Sequence, residues 1–322
     1  IGKTNLLKIN TSFKSLIKKR NISLEGLINK NTKKGLPLKS HMKLRFSNLR
    51  REKSIDEIMI EEMRQEIITQ NYAVLDKKIR NTDRAIGARI SGELSYLFGH
   101  NNFKGNIQLR LNGTAGQSFG AFLSKGIELR LKGLANDYIG KSMSAGLISI
   151  RMSKNIQKQK NNNTLIGNVA LYGATGGELY VAGSAAERFA VRNSGASAVV
   201  EGVGNHGCEY MTQGIVLILG SIGKNFGAGM TGGVIYLYAK NKNLKNYINH
   251  DFVEESKILS KDKNIILRFL KNHIFHTGSR IGRKIEKNWE QELYNFKKVT
   301  PKSYESMNFD SLYEKQISFR LH

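Results

Sequence analysis

The sequence predicts a mainly β fold: a right-handed, single-stranded parallel β-helix (a solenoid) with flanking α-helices. Two observations support this prediction. Glycine is dense and proline is absent between residues 105 and 240, and short strand-like runs recur there about every 20 residues. Parallel strands need a crossover connection, and helices usually supply it. The segments between these runs are too short for such helices, so stacked turns joined by tight corners remain.

The predicted strands follow one another at steps of about 18 to 21 residues. One step, from about residue 149 to about residue 180, is longer because it holds a polar insertion, KNIQKQKNNN, at residues 154–163. We predict strands at 127–131, 147–152, 166–172, 178–183, 197–202, 215–219 and 234–238.

Four regions are predicted along the chain. Residues 1–50 are polar and basic and are interpreted as a linker. Residues 51–104 form a helical segment that leads into the β-helix at 105–242, and residues 243–322 form a C-terminal helical segment.

The helices have recognisable start and stop signals. Helix 54–71 should begin at Ser54, with Glu57 completing a capping box, and its apolar stripe runs through Ile55, Ile58, Met59, Met63 and Ile67. Helix 81–99 should be capped by Thr82 or Asp83 and end at Gly99. Two C-terminal helices should be separated at Thr277–Gly278, the second with Trp289, Leu293 and Phe296 on its apolar stripe.

Repeated glycines are assigned to the corners of the turns. The segments GTAGQSFG and GSIGKNFG share one spacing, and GLANDYIG keeps it with an asparagine in the middle. A corner needs positive φ, which glycine adopts freely and asparagine tolerates. Stacked corners also need small side chains where backbones approach closely. The positions concerned are Gly113, Gly116, Gly120, Gly133, Asn136, Gly140, Gly220, Gly223 and Gly227.

The composition limits the function classes. The formal net charge of +25 is typical of proteins that bind nucleic acid. However, the basic residues crowd the two ends, and Leu165–Met230 is nearly free of lysine. We therefore do not expect a nucleic-acid partner. The single cysteine, Cys208, excludes an intramolecular disulfide and favours a reducing compartment. We expect no membrane span and no secretory leader. The missing initiator Met indicates a fragment or a processed product.

One motif resembles a dinucleotide-binding fingerprint. Gly202, Gly204 and Gly207 spell G-x-G-x-x-G after the strand-like run Ser197–Glu201. That fingerprint must open a helix whose N-terminus receives the pyrophosphate. The next predicted strand begins near Ile215, which leaves no room for a helix. No acidic residue follows at the required distance either, so the motif is interpreted as a corner.

Three other candidates are weighed against structural roles. The segment NDYIGKS at 136–142 fails the P-loop pattern, because Ala135 stands where its first glycine belongs. His206, Cys208 and Glu209 offer too few soft ligands for zinc. Glu187, Arg188 and Arg192 are expected to pair across neighbouring turns. We therefore predict no catalytic, cofactor-binding or metal-binding residue in this chain.

Five long segments, in order, carry a family resemblance: GTAGQSFGAF, LANDYIGKSMSAG, IGNVALYGATGGELY, ERFAVRNSGASAVVEGVGNHGCEYMT and GKNFGAGMTGG. They resemble the C-terminal glycine-repeat (GXGXG) domain of the glutamate synthase large (α) subunit. The flanks at 1–7, 79–94 and 276–304 also resemble that subunit. The solenoid of formylmethanofuran dehydrogenase is similar, but its flanks do not match.

The resemblance implies a structural domain that holds catalytic domains in place and is inactive alone. The complete enzyme would convert glutamine and 2-oxoglutarate reductively into glutamate. Its FMN and iron–sulfur cluster would lie in upstream domains, so no cofactor is expected in this chain. The implied partners are the glutaminase and FMN-binding synthase domains and a small NADPH-oxidising subunit.

The sequences of segments such as NTDRAIGARISGEL and GVGNHGCEYMT resemble bacterial NADPH-type enzymes more than plant ferredoxin-type enzymes. This favours the cytoplasm over the plastid stroma. A free-standing basic module that binds RNA or protein is the alternative. Where the resembled domain usually has glycine, this chain has Ser142, Ala145, Ala186 and Gln213, and Asn205 stands where aspartate is usual. A non-glycine residue at a positive-φ corner costs about 1 kcal/mol.

Overall fold

The computed structural model describes residues 52–152, 163–240 and 244–302. The predicted linker at 1–50, nearly all of the polar insertion at 154–163 and the stretch 303–322 lie outside the described residues. No helix within the described ranges is long and apolar enough to cross a bilayer.

The described part of the chain begins with a capped helix whose start the sequence predicts correctly. Helix α1 spans Ile55–Glu62, and the backbone N–H of Ser54 donates to the Glu57 carboxylate at 2.7 Å while the Ser54 hydroxyl accepts from the Glu57 N–H at 3.3 Å. The predicted single helix 54–71 is divided at Met63, after which α2 spans Arg64–Ile68. Strand β1, Tyr72–Ile79, follows and was not predicted.

The second predicted helix is shorter than its sequence pattern indicates. Helix α3 spans Ala88–Phe98, and Gly99 ends it as predicted. Neither Thr82 nor Asp83 caps it, because residues 81–87 form turns in which the Asp83 carboxylate accepts from the Arg80 N–H at 2.7 Å.

The β region forms one twelve-stranded, mostly parallel sheet within the described residues, with the path β1-β2-β3-β4-β6-β8-β9-β10-β12-β11 and two short strands beside it. Its remaining strands have these bounds: β2 Asn106–Ala115, β3 Ile127–Ala135, β4 Leu147–Arg151, β5 Thr164–Ile166, β6 Glu178–Val181, β7 Ser184–Ala185, β8 Ser194–Gly202, β9 Gln213–Ser221, β10 Val234–Tyr238, β11 Val253–Ser256 and β12 Phe296–Pro301.

The register confirms the predicted period. Ile107 pairs with Ile127, Ser197 with Ile215, and Ile215 with Val234, so equivalent residues lie about 20 positions apart. The long step is also present, because Leu147 pairs directly with Glu178. The predicted strand 166–172 is wrong beyond Ile166, where a turn replaces it.

The two faces of the strands pack differently. In β9, Val216 and Ile218 point into a long apolar core that extends from the first helix to the last strand. The alternate residues Ile215, Leu217 and Leu219 belong to a second apolar cluster on the other face. This alternation follows from the two-residue period of side chains along a strand.

The C-terminal segment covers the second cluster. Helix α4, Ser260–Thr277, ends at Gly278, whose φ is +71°, and this confirms the predicted break at Thr277–Gly278. Helix α5, Arg280–Lys287, and helix α6, Trp289–Glu292, follow. The predicted stripe through Phe296 is wrong at its end, because Phe296 begins the antiparallel strand β12 instead of continuing a helix.

Candidate functional site

The corners that follow the strands share one unusual backbone pattern. In six consecutive turns, every second residue of the corner has a left-handed φ between +53° and +75°. Glycine occupies only five of these eighteen positions. Most of the corner residues therefore carry a Cβ, which makes the left-handed conformation sterically unfavourable. The triplets are Ser118, Gly120, Phe122; Tyr138, Gly140, Ser142; Val169, Leu171, Gly173; Arg188, Ala190, Arg192; His206, Cys208, Tyr210; and Asn225, Gly227, Gly229.

The hydrogen bonds between turns explain how the corners tolerate this backbone. The middle N–H of each triplet donates to the preceding turn, as Cys208 does to Phe189 O at 2.7 Å. The first N–H donates to the following turn in the first five triplets, as His206 does to Lys224 O at 2.8 Å. Each turn is therefore bonded in both directions, and these bonds offset the strain of the left-handed residues.

The G-x-G-x-x-G motif lies in one of these corners. Strand β8 ends at Gly202 and β9 begins at Gln213, with turns and no helix between them. The N–H groups of Gly204, His206, Cys208 and Tyr210 all donate to carbonyl groups of neighbouring turns, at 2.7 to 3.2 Å. They are not available to a pyrophosphate, which would need free N–H groups at a helix N-terminus.

The three glycines of the motif are required for close approach and not for positive φ. None of Gly202, Gly204 and Gly207 has a left-handed φ, which corrects the expectation that corner glycines serve mainly that conformation. A Cβ on Gly207 would lie 2.9 Å from two ring atoms of Phe226, and Phe226 is fully buried. A Cβ on Gly204 would lie 3.0 Å from the carbonyl oxygen of Ala186.

The other glycines that the sequence assigns to corners divide into the same two roles, but Gly113, Gly133 and Gly220 lie within strands β2, β3 and β9 and not at corners. Positive φ is present at Gly113, Gly120, Gly133, Gly140 and Gly227. Gly116, Gly220, Gly223 and Asn136 lack it. A Cβ on Gly223 would lie 2.5 Å from the carbonyl oxygen of Gly204 in the turn below, so close backbone contact excludes a larger residue. The P-loop-like segment 136–142 is a corner of the same kind, with Tyr138 N–H donating to Asn168 O.

A chain of polar side chains runs along the corners. His206 Nδ1 lies 2.7 Å from the Glu209 carboxylate, which also accepts from the Asn225 amide at 2.8 Å. The Asn225 carbonyl in turn accepts from the Asn249 amide at 2.7 Å. The structure thus places His206 and Glu209 together, but Cys208 is fully buried, and burial raises the pKa of its thiol.

These groups do not form a metal centre in the described part of the chain, where no set of three His, Cys, Asp or Glu side chains could hold an ion. The absence of catalytic, cofactor-binding and metal-binding residues from this chain stays a prediction.

A second ladder uses side-chain oxygens to bind the next backbone. Asp137 accepts from the Asn168 N–H at 2.7 Å, and Asn168 accepts from the Glu187 N–H at 3.0 Å. Asn205 repeats the contact with the Lys224 N–H at 2.7 Å. This ladder was not predicted, although the recurrence of Asp or Asn at equivalent positions beside the corners could have revealed it.

The expected charge pairing of Glu187, Arg188 and Arg192 is wrong in its detail. All three side chains are exposed, and none forms an ion pair with another residue of the described ranges. The Glu187 carboxylate instead accepts from the Asn205 amide at 3.5 Å, and the backbone N–H groups of Arg188 and Arg192 donate to Asn205 O and Glu209 O.

The unusual non-glycine residues also separate by conformation. Ser142 has a φ of +53°, so the strain predicted for it is present. Ala145, Ala186 and Gln213 have no left-handed φ and carry no such cost. In the last case the positive φ falls on the next residue, Gly214.

These features define a class of protein: a mainly β glycine-repeat domain whose corners stack through backbone hydrogen bonds and closely packed small residues. A model of the GXGXG motif family matches residues 56–302. The chain therefore belongs to the GXGXG motif family, and the relatives that it matches are glutamate synthases.

Three of these relatives show how far the similarity extends. Ferredoxin-dependent glutamate synthase 2 of Synechocystis sp. is 41% identical over 306 residues, which cover 94% of this chain and 19% of the relative. The ferredoxin-dependent enzyme of Antithamnion sp. is 45% identical over 235 residues, covering 73% of this chain and 15% of the relative. The NADPH glutamate synthase large chain of Bacillus subtilis is 42% identical over 233 residues, which cover 71% of this chain and 15% of the relative.

The chain thus spans less than a fifth of the length of these relatives. Both ferredoxin- and NADPH-dependent enzymes occur among them, so the NADPH-type interpretation stays a prediction.

Proposed function

We propose that this chain is the structural C-terminal part of a glutamate synthase, which holds the catalytic domains in place and performs no catalysis itself. The observation that supports this role most directly is the use of the corner N–H groups. In a nucleotide-binding loop successive N–H groups would face a ligand, but here alternate N–H groups of each corner donate to neighbouring turns. Such a stack is suited to rigidity, because each turn is held by the turns on both sides.

The proposed architecture is a right-handed, single-stranded parallel β-helix over residues 105–242. Three observations support it: parallel pairing from β1 through β10 along the sheet, corners that are hydrogen-bonded to one another, and one continuous apolar core. The right hand follows from the general preference of parallel β connections.

The complete enzyme would convert glutamine and 2-oxoglutarate reductively into glutamate. Its FMN and iron–sulfur cluster would be bound upstream, and this chain would bind neither. Its partners would be the glutaminase and FMN-binding synthase domains and, in an NADPH-type enzyme, the small NADPH-oxidising subunit. We place it in the cytoplasm, with the plastid stroma as the alternative, since two plant relatives are named chloroplastic enzymes.

A chimera tests the structural role. The 306-residue region of the Synechocystis enzyme that matches this chain is replaced by this chain or deleted. We expect the chimera to assemble and retain glutamine-dependent glutamate formation, and the deleted enzyme to lose both. A deleted enzyme that stays assembled and active would show that no structural domain is needed there.

The alternative is a free-standing basic module that binds RNA, which the net charge of +25 favours. A gel shift of the isolated chain with RNA, measured at two salt concentrations, distinguishes the two functions. We expect no specific complex. A tight RNA complex that weakens steeply with salt, together with an inactive chimera, would support the alternative.

A further inference from the structure

The outward face of the sheet is divided into a covered half and an open half. On β6, β8 and β9 the outward residues Tyr180, Val199 and Leu217 are fully buried, in one apolar cluster with Phe269 and Leu270 of helix α4. On β1 to β4 most outward residues are polar or charged, predominantly basic, and these line a groove of about 670 Å³. The end of α4, at Phe275 and His276, forms one wall of that groove.

The strand register places like charges opposite one another in this groove. Arg110 on β2 is the direct partner of Arg130 on β3, and Lys132 on β3 is the direct partner of Arg151 on β4. Like charges in directly opposed positions destabilise a sheet. The arrangement therefore has a cost in the isolated chain that an anionic partner would remove.

Only part of this charge is neutralised within the chain. Arg130 is paired with Glu128 at 2.8 Å, and the Arg110 Nε donates to the Gln108 amide oxygen at 2.8 Å. Lys78, Lys132 and Arg151 have no ion-pair partner in the described ranges. Exposed Asp76, opposite Arg110, is the acidic residue among the lining side chains.

An apolar side chain accompanies the free charges. Phe275 lies at the edge of the groove, and 77% of its surface is exposed. An exposed aromatic ring beside unpaired basic groups is typical of surfaces that bind protein, where aromatic and arginine residues contribute most of the binding energy. The four strands span about 14 Å, which is the length of a short extended peptide.

We propose that this groove, lined by Lys78, Arg110, Arg130, Lys132, Arg151 and Phe275, is the docking surface for an extended acidic segment of a protein partner. The inference rests on the proposed structural role and specifies the face through which the chain is held. Charge complementarity determines the occupant. A protein is favoured over nucleic acid because the relatives carry more than four-fifths of their length outside this region, where further protein domains would have to pack.

Peptide binding tests the proposal directly. The complete 322-residue chain is titrated into a fluorescein-labelled twelve-residue peptide of alternating Glu and Ser, and the anisotropy is recorded at low and physiological salt. The groove variant is Arg110→Glu with Lys132→Glu. The matched control is Lys125→Glu with Lys224→Glu, which changes the net charge equally at exposed residues outside the groove.

We expect the groove variant to weaken binding at least about tenfold, and the control to weaken it less than about twofold. Both variants should keep the melting temperature of the wild-type chain within a few degrees. Equal weakening by the control would show that binding follows total charge, and absence of peptide binding would equally overturn the proposal. A single-stranded RNA that binds more tightly than the peptide and is lost in the groove variant would show that the groove binds nucleic acid instead.

The two proposals can fail separately. An active chimera together with no peptide binding would reject the groove and leave the structural role intact. Peptide binding confined to the groove, with an inactive chimera, would support the surface and reject the role in glutamate synthase.

Discussion

The carboxylate of Asp56 caps a helix that begins more than thirty residues later: both of its oxygens lie 3.0 Å from the backbone nitrogen of Gly87. One oxygen also accepts from the N–H groups of Arg89 and Ile90 at 3.0 and 3.4 Å. Asp56 is 4% exposed, and burial raises its pKa above the usual 3.8 although these hydrogen bonds oppose the shift. This contact joins α1 to the N-terminus of α3.

Asp56→Ala should therefore lower the free energy of unfolding by about 1–3 kcal/mol, because three buried or partly buried N–H groups lose their acceptor. Asp56→Asn keeps one acceptor oxygen without a buried charge and should lose less. Urea unfolding of the three proteins at pH 7 measures the difference. Equal stability of the alanine variant and the wild-type chain would contradict this role.

The Asp56 cap also illustrates what the sequence could not reveal. The start of α1 was predictable because Ser54 and Glu57 are three residues apart and cap the helix locally. The cap of α3 was assigned to Thr82 or Asp83 by the same local rule, whereas the true acceptor comes from a distant helix. Local capping rules do not detect an acceptor supplied by tertiary packing.

The corners show the same division. The period was predictable because strand spacing and register follow directly from the sequence pattern. The left-handed backbone at residues such as Val169, Leu171 and Arg188 was not, because their intrinsic preference opposes it. The basic groove was detectable in principle, because polar or basic residues occupy alternate positions along the strands. These are Arg110 and Asn112 on β2, and Arg130 and Lys132 on β3.

The strained corner at Ser142 gives a prediction of increased stability. Ser142→Gly should raise the free energy of unfolding by up to about 1 kcal/mol, because glycine relieves the left-handed φ of +53°. Ala145→Gly, three residues on and without positive φ, is the matched control and should lower stability by about 0.5–1 kcal/mol. Thermal unfolding of both variants provides the measurement, and opposite signs are required.

Glu292 gives a prediction of pH dependence. Its side chain is 7% exposed, and it accepts from Lys240 at 2.9 Å, Tyr238 at 2.7 Å and Asn295 at 2.7 Å. The hydrogen bond from Lys240, followed by that from Tyr238, lowers the pKa of Glu292 below 4.5. Its stabilising effect is therefore present above pH 4.5 and is lost as the pH falls through the lowered pKa.

Glu292→Gln should thus be less stable than the wild-type chain at pH 7, by about 1–3 kcal/mol. The difference should shrink as the pH is lowered from 5 towards 3. Urea midpoints measured across that range test the trend, and a difference that stays constant with pH would exclude the charge as its cause.

Asp262 and Lys298 form a buried ion pair between α4 and β12, with 3.1 Å between the Lys298 nitrogen and an Asp262 oxygen. Tyr236 also donates to Asp262 at 2.6 Å. Asp262→Asn should lower the free energy of unfolding by about 3–5 kcal/mol, because it removes the negative member of a buried ion pair. The double variant Asp262→Asn with Lys298→Met should recover part of the loss, and chemical denaturation of all four proteins gives the coupling energy.

The last prediction concerns the G-x-G-x-x-G corner. Gly207→Ala should lower the free energy of unfolding by about 1–3 kcal/mol, because the added Cβ meets the buried ring of Phe226 at 2.9 Å. Gly204→Val should also be less stable, since its side chain would press on Ala186 and the Glu187 carboxylate. Calorimetric titration of the wild-type chain with NAD and NADPH should show no binding, because Gly204, His206, Cys208 and Tyr210 already donate their N–H groups to other turns and no helix N-terminus is present. Micromolar binding that Gly204→Val abolishes without changing the melting temperature would identify the corner as a nucleotide site. If these glycines serve close packing, both variants should show reduced thermal stability and the wild-type chain should bind no nucleotide.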